Sequence, residues 1–232
     1  AVYLDVSYYI KPHNLRDVRL ALGNNTIIIY DASHTLGLIA GGQFQNPLKE
    51  GVDIICGNTH KTLPGPQKGI IAFKDARLGK RANNLIGSCL YSSVHTHHLI
   101  SLAITILEME KFGSTYAKQI INNAQALGRA FANLGYEVRE IHSGVYTKNH
   151  QIHVFLDKKE NKGRAFERLV KNNISLNFDK LLGNKFFMRI GTQEITRLGM
   201  KEKDMIAISH IVDASLKGLN VKPAIENLLA KY

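Results

Sequence analysis

The chain has 232 residues, 44% of them hydrophobic and 21% charged, and its formal net charge is +11. It is long enough to bury a core, and its composition excludes a disordered tail, a collagen-like repeat and a disulfide-stapled mini-protein. The basic excess is compatible with nucleic acid or a membrane surface. No zinc-finger spacing, RNA-binding aromatic run or recognition-helix pattern accompanies it, so a solvated basic surface is the better interpretation.

In the first half of the chain, short β-branched runs alternate with stretches of helical spacing. Strands are predicted at residues 2–6, 26–30, 52–56 and 69–73, and a helix at 15–22. Continuous β-branched runs are typical of strands that are covered on both faces. Their alternation with helices predicts an α/β fold with a mostly parallel sheet.

The second half combines longer helices with fewer strands. A helix that carries Leu99 and Leu107 is predicted to end at residues 112–114, where Ser114 would cap a second helix that ends at Gly135. Strands are predicted at 136–141, 151–156 and 186–190, and further helices near 165–170, 203–216 and 224–230. This order predicts a small α+β domain, and we divide the chain into residues 1–112 and 113–232.

Polar side chains follow two of the predicted strands in the first half. Asp31 and His34 follow one strand, and the run from Asn58 to Lys61 follows another. Ligands of open α/β sheets bind beyond the carboxyl ends of the strands. A carboxylate and an amine at neighbouring strand ends suit pyridoxal phosphate, because the amine condenses with the cofactor aldehyde and the acid keeps the pyridine nitrogen protonated. The alternative, that Asp31 caps a turn and Lys61 is a surface lysine, stays open on this chemistry alone.

Three segments carry a resemblance to a known family. They read YDASHTLGLIAGG, VDIICGNTHKTLPGPQKGIIAF and FFMRIGTQEITRLGM. In this order they resemble the serine hydroxymethyltransferases, which are fold-type-I pyridoxal-phosphate enzymes. The resemblance implies that residues 1–112 are the C-terminal portion of the large cofactor domain and residues 113–232 the small C-terminal domain. Because the family's N-terminal half is not found before Ala1, we expect a part of a longer enzyme or a subunit completed by a separate chain.

The resemblance also implies roles for individual residues. Lys61 resembles the Schiff-base lysine, Asp31 the partner of the pyridine nitrogen, and Arg189 the arginine that binds the substrate carboxylate. His34 and Ser7 match residues beside the phenolic oxygen of the cofactor. Thr59 and His60 precede the lysine as a Thr-His pair does in the family, and either of them, or a group elsewhere, would take the proton of the substrate hydroxyl.

The sequence departs from the family pattern at several places. Gln67 stands where the hydroxymethyltransferases have an arginine, and the stretch SCLYSSVHTHH replaces a glycine-rich loop near the cofactor phosphate. Ser92 and Ser93 would donate hydroxyl groups there or only form a turn. The stretch from residue 176 to residue 186 is shorter than the family region that helps to hold folate. These departures make tetrahydrofolate use doubtful and fit folate-independent aldolases and threonine transaldolases.

The expected function is therefore an enzyme of amino-acid metabolism that forms or cleaves the Cα–Cβ bond of a small β-hydroxy amino acid such as serine or threonine. An aminotransferase, a decarboxylase or a non-catalytic partner subunit on the same fold stays open. We expect a homodimer or larger oligomer, because relatives share active-site residues between subunits.

Other features of the sequence bear on metals and location. His95, His97 and His98 match no familiar zinc site, so no metal is expected. No secretory leader opens the sequence, no apolar run is long enough to span a bilayer, and the two cysteines are predicted to be reduced. We therefore expect a cytoplasmic protein that binds neither a membrane nor nucleic acid.

Overall fold

The computed structural model describes residues 1–5, 7–90, 93, 95–156, 162–180 and 185–232. It divides into two compact units, Ala1–Lys118 and Gln119–Tyr232. The first unit contains β1 (Val2–Asp5), α1 (Leu15–Leu22), β2 (Ile28–Asp31), α2 (Leu36–Ala40), β3 (Ile54–His60), β4 (Pro64–Phe73) and α3 (Ala76–Cys89). A long helix, α4 (Thr96–Asn133), begins in this unit and ends in the second.

The sheet of the first unit has the strand order β1-β2-β3-β4. β1, β2 and β3 run parallel, and β4 returns antiparallel to β3. The predicted α/β fold with a mostly parallel sheet is thereby confirmed. Because parallel strands end at the same edge, the residues that follow β2 and β3 come together there.

Only one face of this sheet is buried within the first unit. Alternate residues of β2 and β3, among them Ile28, Tyr30 and Ile55, pack with Leu15 of α1. The other face carries Tyr3 and Ile71, which are 57% and 47% exposed. Within the described unit the burial of these strands alternates with the side-chain period of two, so residues of this unit cover one face and the predicted coverage of the other stays a prediction.

The second unit contains β5 (Gln151–Phe155), α5 (Lys162–Lys171), β6 (Asn177–Lys180), β7 (Phe186–Gly191), α6 (Gln193–Arg197), α7 (Glu202–Leu216) and α8 (Lys222–Leu229). Its three strands form an antiparallel sheet in the order β5-β7-β6. Fully buried side chains such as Phe131, Ile152 and Met188 form a core between this sheet and the helices. Antiparallel strands packed against helices make this unit α+β, as the sequence predicted.

Some predicted boundaries were wrong. Ser114 lies inside α4 and caps no helix. Gly41, which follows α2, packs closely against this continuous helix, because a Cβ at position 41 would lie 2.4 Å from the Gly113 carbonyl oxygen. The predicted strand at 136–141 is reduced to an isolated bridge between Val138 and Val154. Nowhere in the described residues does a helix combine the length and apolar character needed to cross a membrane.

Candidate active site

Asp31 is the last residue of β2 and is partly buried on the open face of the sheet. Its carboxylate accepts a hydrogen bond from the Tyr3 hydroxyl at 2.5 Å and another from the Ser33 backbone N–H at 2.8 Å. Burial alone would raise the pKa of Asp31, but hydrogen bonds from Ser33 and Tyr3 and the charge of Lys61 outweigh it and lower the pKa. The side chain is therefore a carboxylate at neutral pH.

Lys61 follows directly after β3, at the same edge of the sheet as Asp31. Its Nζ lies 3.1 Å from His34 Nε2, and its charge acts on Asp31. The structure thus brings together the carboxylate, the amine and the imidazole that the sequence predicted to share a site. An ammonium group and a carboxylate in this arrangement can hold the two ends of an aromatic aldehyde that carries a basic ring nitrogen.

The backbone after Lys61 is held in place by α2. The Thr62 hydroxyl, which is fully buried, accepts a hydrogen bond from the Gly37 N–H at 3.1 Å. A Cβ on Gly37 would lie only 2.1 Å from the Thr62 carbonyl oxygen. Only glycine allows this approach, so position 37 fixes where the chain turns after the lysine.

Thr59 and His60 lie inside β3, although the sequence analysis placed them after the strand. β3 extends this far because β4 pairs with it, with an irregularity between Asn58 and His60. Thr59 is fully buried, and its hydroxyl lies 2.5 Å from the Pro66 carbonyl oxygen and accepts from the Lys68 N–H at 3.1 Å. His60 is exposed at the strand end. The Thr59 hydroxyl thus has partners within the β3–β4 hairpin.

Ser7, Ser92 and Ser93 are the other residues of the first unit that the sequence predicted to lie near the cofactor. The Ser7 backbone N–H and hydroxyl both donate to Asp5 Oδ1, at 2.7 and 2.6 Å. Ser93 is exposed, and Ser92 lies outside the described residues.

His95, His97 and His98 have ring centroids 4.3 to 6.1 Å apart. Among the residues that the structure describes, no group of three histidine, cysteine or acidic side chains is arranged to hold a metal ion.

Arg189 lies on β7, the central strand of the second unit's sheet. Its Nε is 3.1 Å from Asp179 Oδ2 of β6, and both side chains are mostly buried. A guanidinium group keeps several donors in a fixed plane, a geometry that matches the two oxygens of a carboxylate.

Two residues that the sequence analysis did not single out lie beside these groups. Tyr3 binds Asp31, as described above, and His153 lies opposite Arg189 in the β5–β7 register. His153 is fully buried, and neither ring nitrogen has a hydrogen-bond partner among the residues that the structure describes. Burial, and then the charges of Arg139 and Arg189, lower its pKa to about 3. Both contacts depend on strand register, which the sequence patterns did not specify.

Comparisons with known proteins give consistent matches. The family model for serine hydroxymethyltransferase matches residues 6–212. The serine hydroxymethyltransferase of Methanocella arvoryzae is 41% identical over 91% of this chain and 51% of its own length. That of Methanobrevibacter smithii is 36% identical over 97% of this chain and 55% of its own length. The chain thus spans about half the length of the curated relatives it matches.

A solved structure matches in three dimensions as well. The crystal structure of an L-threonine transaldolase from Pseudomonas fluorescens aligns with a TM-score of 0.90 at 34% identity. The alignment covers 99% of this chain and 53% of that one. The similarity therefore includes both units, each of which corresponds to a part of that larger protein.

Proposed function

The chain belongs to the serine hydroxymethyltransferase family, and we propose that it is part of a pyridoxal-phosphate enzyme that forms or cleaves the Cα–Cβ bond of a small β-hydroxy amino acid. Serine and threonine are the proposed substrates. The observation that carries the proposal is the cluster of Lys61, His34 and an ionised Asp31 at the carboxyl edge of the sheet.

The donor set of this cluster fits pyridoxal phosphate. Lys61 would hold the cofactor through its amine, and Asp31 would accept a hydrogen bond from the pyridine nitrogen. His34 and Ser7 would lie beside the phenolic oxygen, and Ser92 and Ser93 near the phosphate. When bound, the cofactor supplies an aromatic ring that withdraws electrons from the substrate Cα. An Asp31 carboxylate that stays charged favours the protonated ring nitrogen on which this withdrawal depends.

We propose that Arg189 positions the substrate by binding its carboxylate. A guanidinium group binds a carboxylate at two points, which fixes the amino acid and selects the bond at Cα that breaks. Asp179 holds the guanidinium of Arg189 through Nε, so the side chain is preorganised. His60, Thr59 or a group outside this chain would accept the proton of the substrate hydroxyl. The partners of the Thr59 hydroxyl in the hairpin make exposed His60 the more accessible of the two.

The reaction partner and the assembly belong to the same proposal. The departures at Gln67 and in the SCLYSSVHTHH stretch favour an aldolase or transaldolase that does not use tetrahydrofolate. We infer that residues 1–112 complete a cofactor domain whose other half comes from preceding sequence or from a separate chain, and that residues 113–232 form the small domain. We also propose that the complete protein forms a homodimer or larger oligomer in the cytoplasm.

The test is a product analysis with the complete protein. Incubation with pyridoxal phosphate and threonine is expected to release acetaldehyde and glycine, the two halves of the cleaved Cα–Cβ bond. Release of carbon dioxide, or transfer of the amino group to a keto acid, would replace this proposal with a decarboxylase or an aminotransferase. A complete protein that gives none of these products and takes up no cofactor would indicate a non-catalytic subunit.

A further inference from the structure

Tyr3 reaches Asp31 across two parallel strands. β1 and β2 are in register with Tyr3 opposite Ile29, so Tyr3 and Asp31 lie on the same face two positions apart. The tyrosine side chain spans this offset and its hydroxyl donates to Asp31 Oδ2 at 2.5 Å. Tyr3 is 57% exposed, and it contacts Asp31 from β1, the edge strand of the sheet.

The two oxygens of Asp31 have different protein donors. Oδ1 accepts from the Ser33 backbone N–H, and Oδ2 accepts from Tyr3. Two donors at opposite oxygens fix the plane of the carboxylate, which one donor would leave free to rotate. A carboxylate oxygen can accept more than one hydrogen bond, so each oxygen keeps capacity for a ligand N–H.

Cys56 and Tyr3 are uncharged neighbours of Asp31 on this face, and Asp5, directly opposite Asp31 in the β1–β2 register, is an acidic one. Cys56 lies directly opposite Asp31 in the β2–β3 register, and burial, then the charge of Asp31, raise its thiol pKa. The hydrogen bond to Asp31, followed by burial and the charge of Asp31, raises the pKa of the Tyr3 hydroxyl. Neither side chain adds a positive charge, so beside Lys61, whose charge acts on Asp31, the carboxylate can also pair with a cation such as a protonated ring nitrogen.

From this geometry we propose that Tyr3 is a positioning residue, whose hydroxyl orients the Asp31 carboxylate towards the pyridine nitrogen of pyridoxal phosphate. The inference rests on the proposed function and adds to it a residue outside the three family-like segments. Without the Tyr3 hydroxyl, Asp31 keeps its hydrogen bonds from Ser33 but loses the donor at Oδ2, and this oxygen must be immobilised when the cofactor binds, which costs affinity. It also loses a donor that favours its charged form.

The experiment compares Tyr3→Phe with Tyr9→Phe, which removes the hydroxyl of another exposed tyrosine. In the complete protein without cofactor, carboxyl-carbon NMR follows the titration of Asp31, identified by its loss in Asp31→Asn. Cofactor affinity is then measured by titration with pyridoxal 5′-phosphate. Tyr3→Phe is expected to move the Asp31 titration to higher pH and to weaken cofactor binding roughly fivefold to tenfold. Tyr9→Phe is expected to change neither.

An Asp31 titration unchanged in Tyr3→Phe would overturn the inference, as would unchanged cofactor affinity despite a shifted titration. Both outcomes leave the proposed function standing as long as the wild-type protein takes up the cofactor. Failure of the wild type to bind pyridoxal phosphate would instead overturn the proposed function and, with it, the role assigned to Tyr3.

Discussion

Two ionisable side chains, one on each sheet, are held in opposite charge states: Asp31 is charged and His153 is neutral. In the first unit, Asp31 lies on an open face, receives hydrogen bonds from Tyr3 and Ser33, and keeps its charge. In the second unit, every residue of β5 is buried, and His153 has no hydrogen-bond partner within the described part of the chain and a pKa lowered to about 3. A buried group with donors stays charged and available for a ligand, whereas a buried group without partners is held neutral.

The largest expected effect is a loss of unfolding free energy at low pH that arises from His153. Its folded pKa of about 3 lies below the ordinary 6.5, so the unfolded chain binds the proton first. The resulting stability is complete above about pH 6.5 and is lost as the pH falls towards 3. At pH 4.5 the loss is about 3 kcal/mol. His153→Leu should abolish this loss in urea denaturation, measured at pH 7 and pH 4.5.

The matched control for this prediction is His210→Leu, on the exposed side of α7 in the same unit. It is expected to leave the dependence on pH as in the wild type. Equal losses of stability in the wild type and in His153→Leu between pH 7 and pH 4.5 would show that His153 is not the unpartnered group described above.

The next largest change in stability is expected beside the candidate active site of the first unit. Gly37→Ala forces a Cβ against the Thr62 carbonyl oxygen, and overpacking of this kind costs about 2 kcal/mol. It should also weaken pyridoxal-phosphate binding, because the clash displaces the chain next to Lys61. Gly69→Ala is the control, since its Cβ would meet only the Gly57 carbonyl oxygen at 3.9 Å. Chemical denaturation and cofactor titration of both variants check this; equal stability and affinity in the two would contradict it.

The smallest change in unfolding free energy is expected when one ion pair of each unit is removed. Arg19 binds Asp53 at 2.5 Å with both side chains largely buried, and also donates to the Gly51 and Thr26 carbonyl oxygens. Arg19→Met should cost about 1–2 kcal/mol of unfolding free energy. Lys217 of the second unit pairs with Asp213 but is 67% exposed, so Lys217→Met should cost less than about 0.5 kcal/mol. Similar losses in urea denaturation would mean that burial does not distinguish the two pairs.

Most elements could be predicted because their sequences repeat with a clear period. The strands in the first half and helices α1, α5, α7 and α8 follow such patterns. β6 was not predicted, since its sequence NFDK has neither alternation nor a β-branched residue. β3 continues through Gly57–His60 because β4 supplies its hydrogen bonds, and no local propensity indicates that extension.

The residues of the candidate site also separate into those that the sequence could predict and those that it could not. Asp31, His34 and Lys61 could be predicted to lie together because Asp31 ends one strand, His34 follows it, and Lys61 follows a second strand that ends at the same edge of the sheet. Tyr3 could not, because its contact with Asp31 requires the β1–β2 register, and neither could His153, whose neighbour Arg189 comes from another strand. Contacts across strands depend on pairing, which a single sequence specifies only weakly.

The central claim is that the amine of Lys61 holds pyridoxal phosphate. The complete protein is incubated with the cofactor and reduced with borohydride, and mass spectrometry of its peptides locates any pyridoxyl group. We predict the group on Lys61 in the wild type and in the control Lys74→Ala, with no labelling and no visible absorbance band in Lys61→Ala. A pyridoxyl group on a different lysine, or an unchanged band in Lys61→Ala, would contradict the claim.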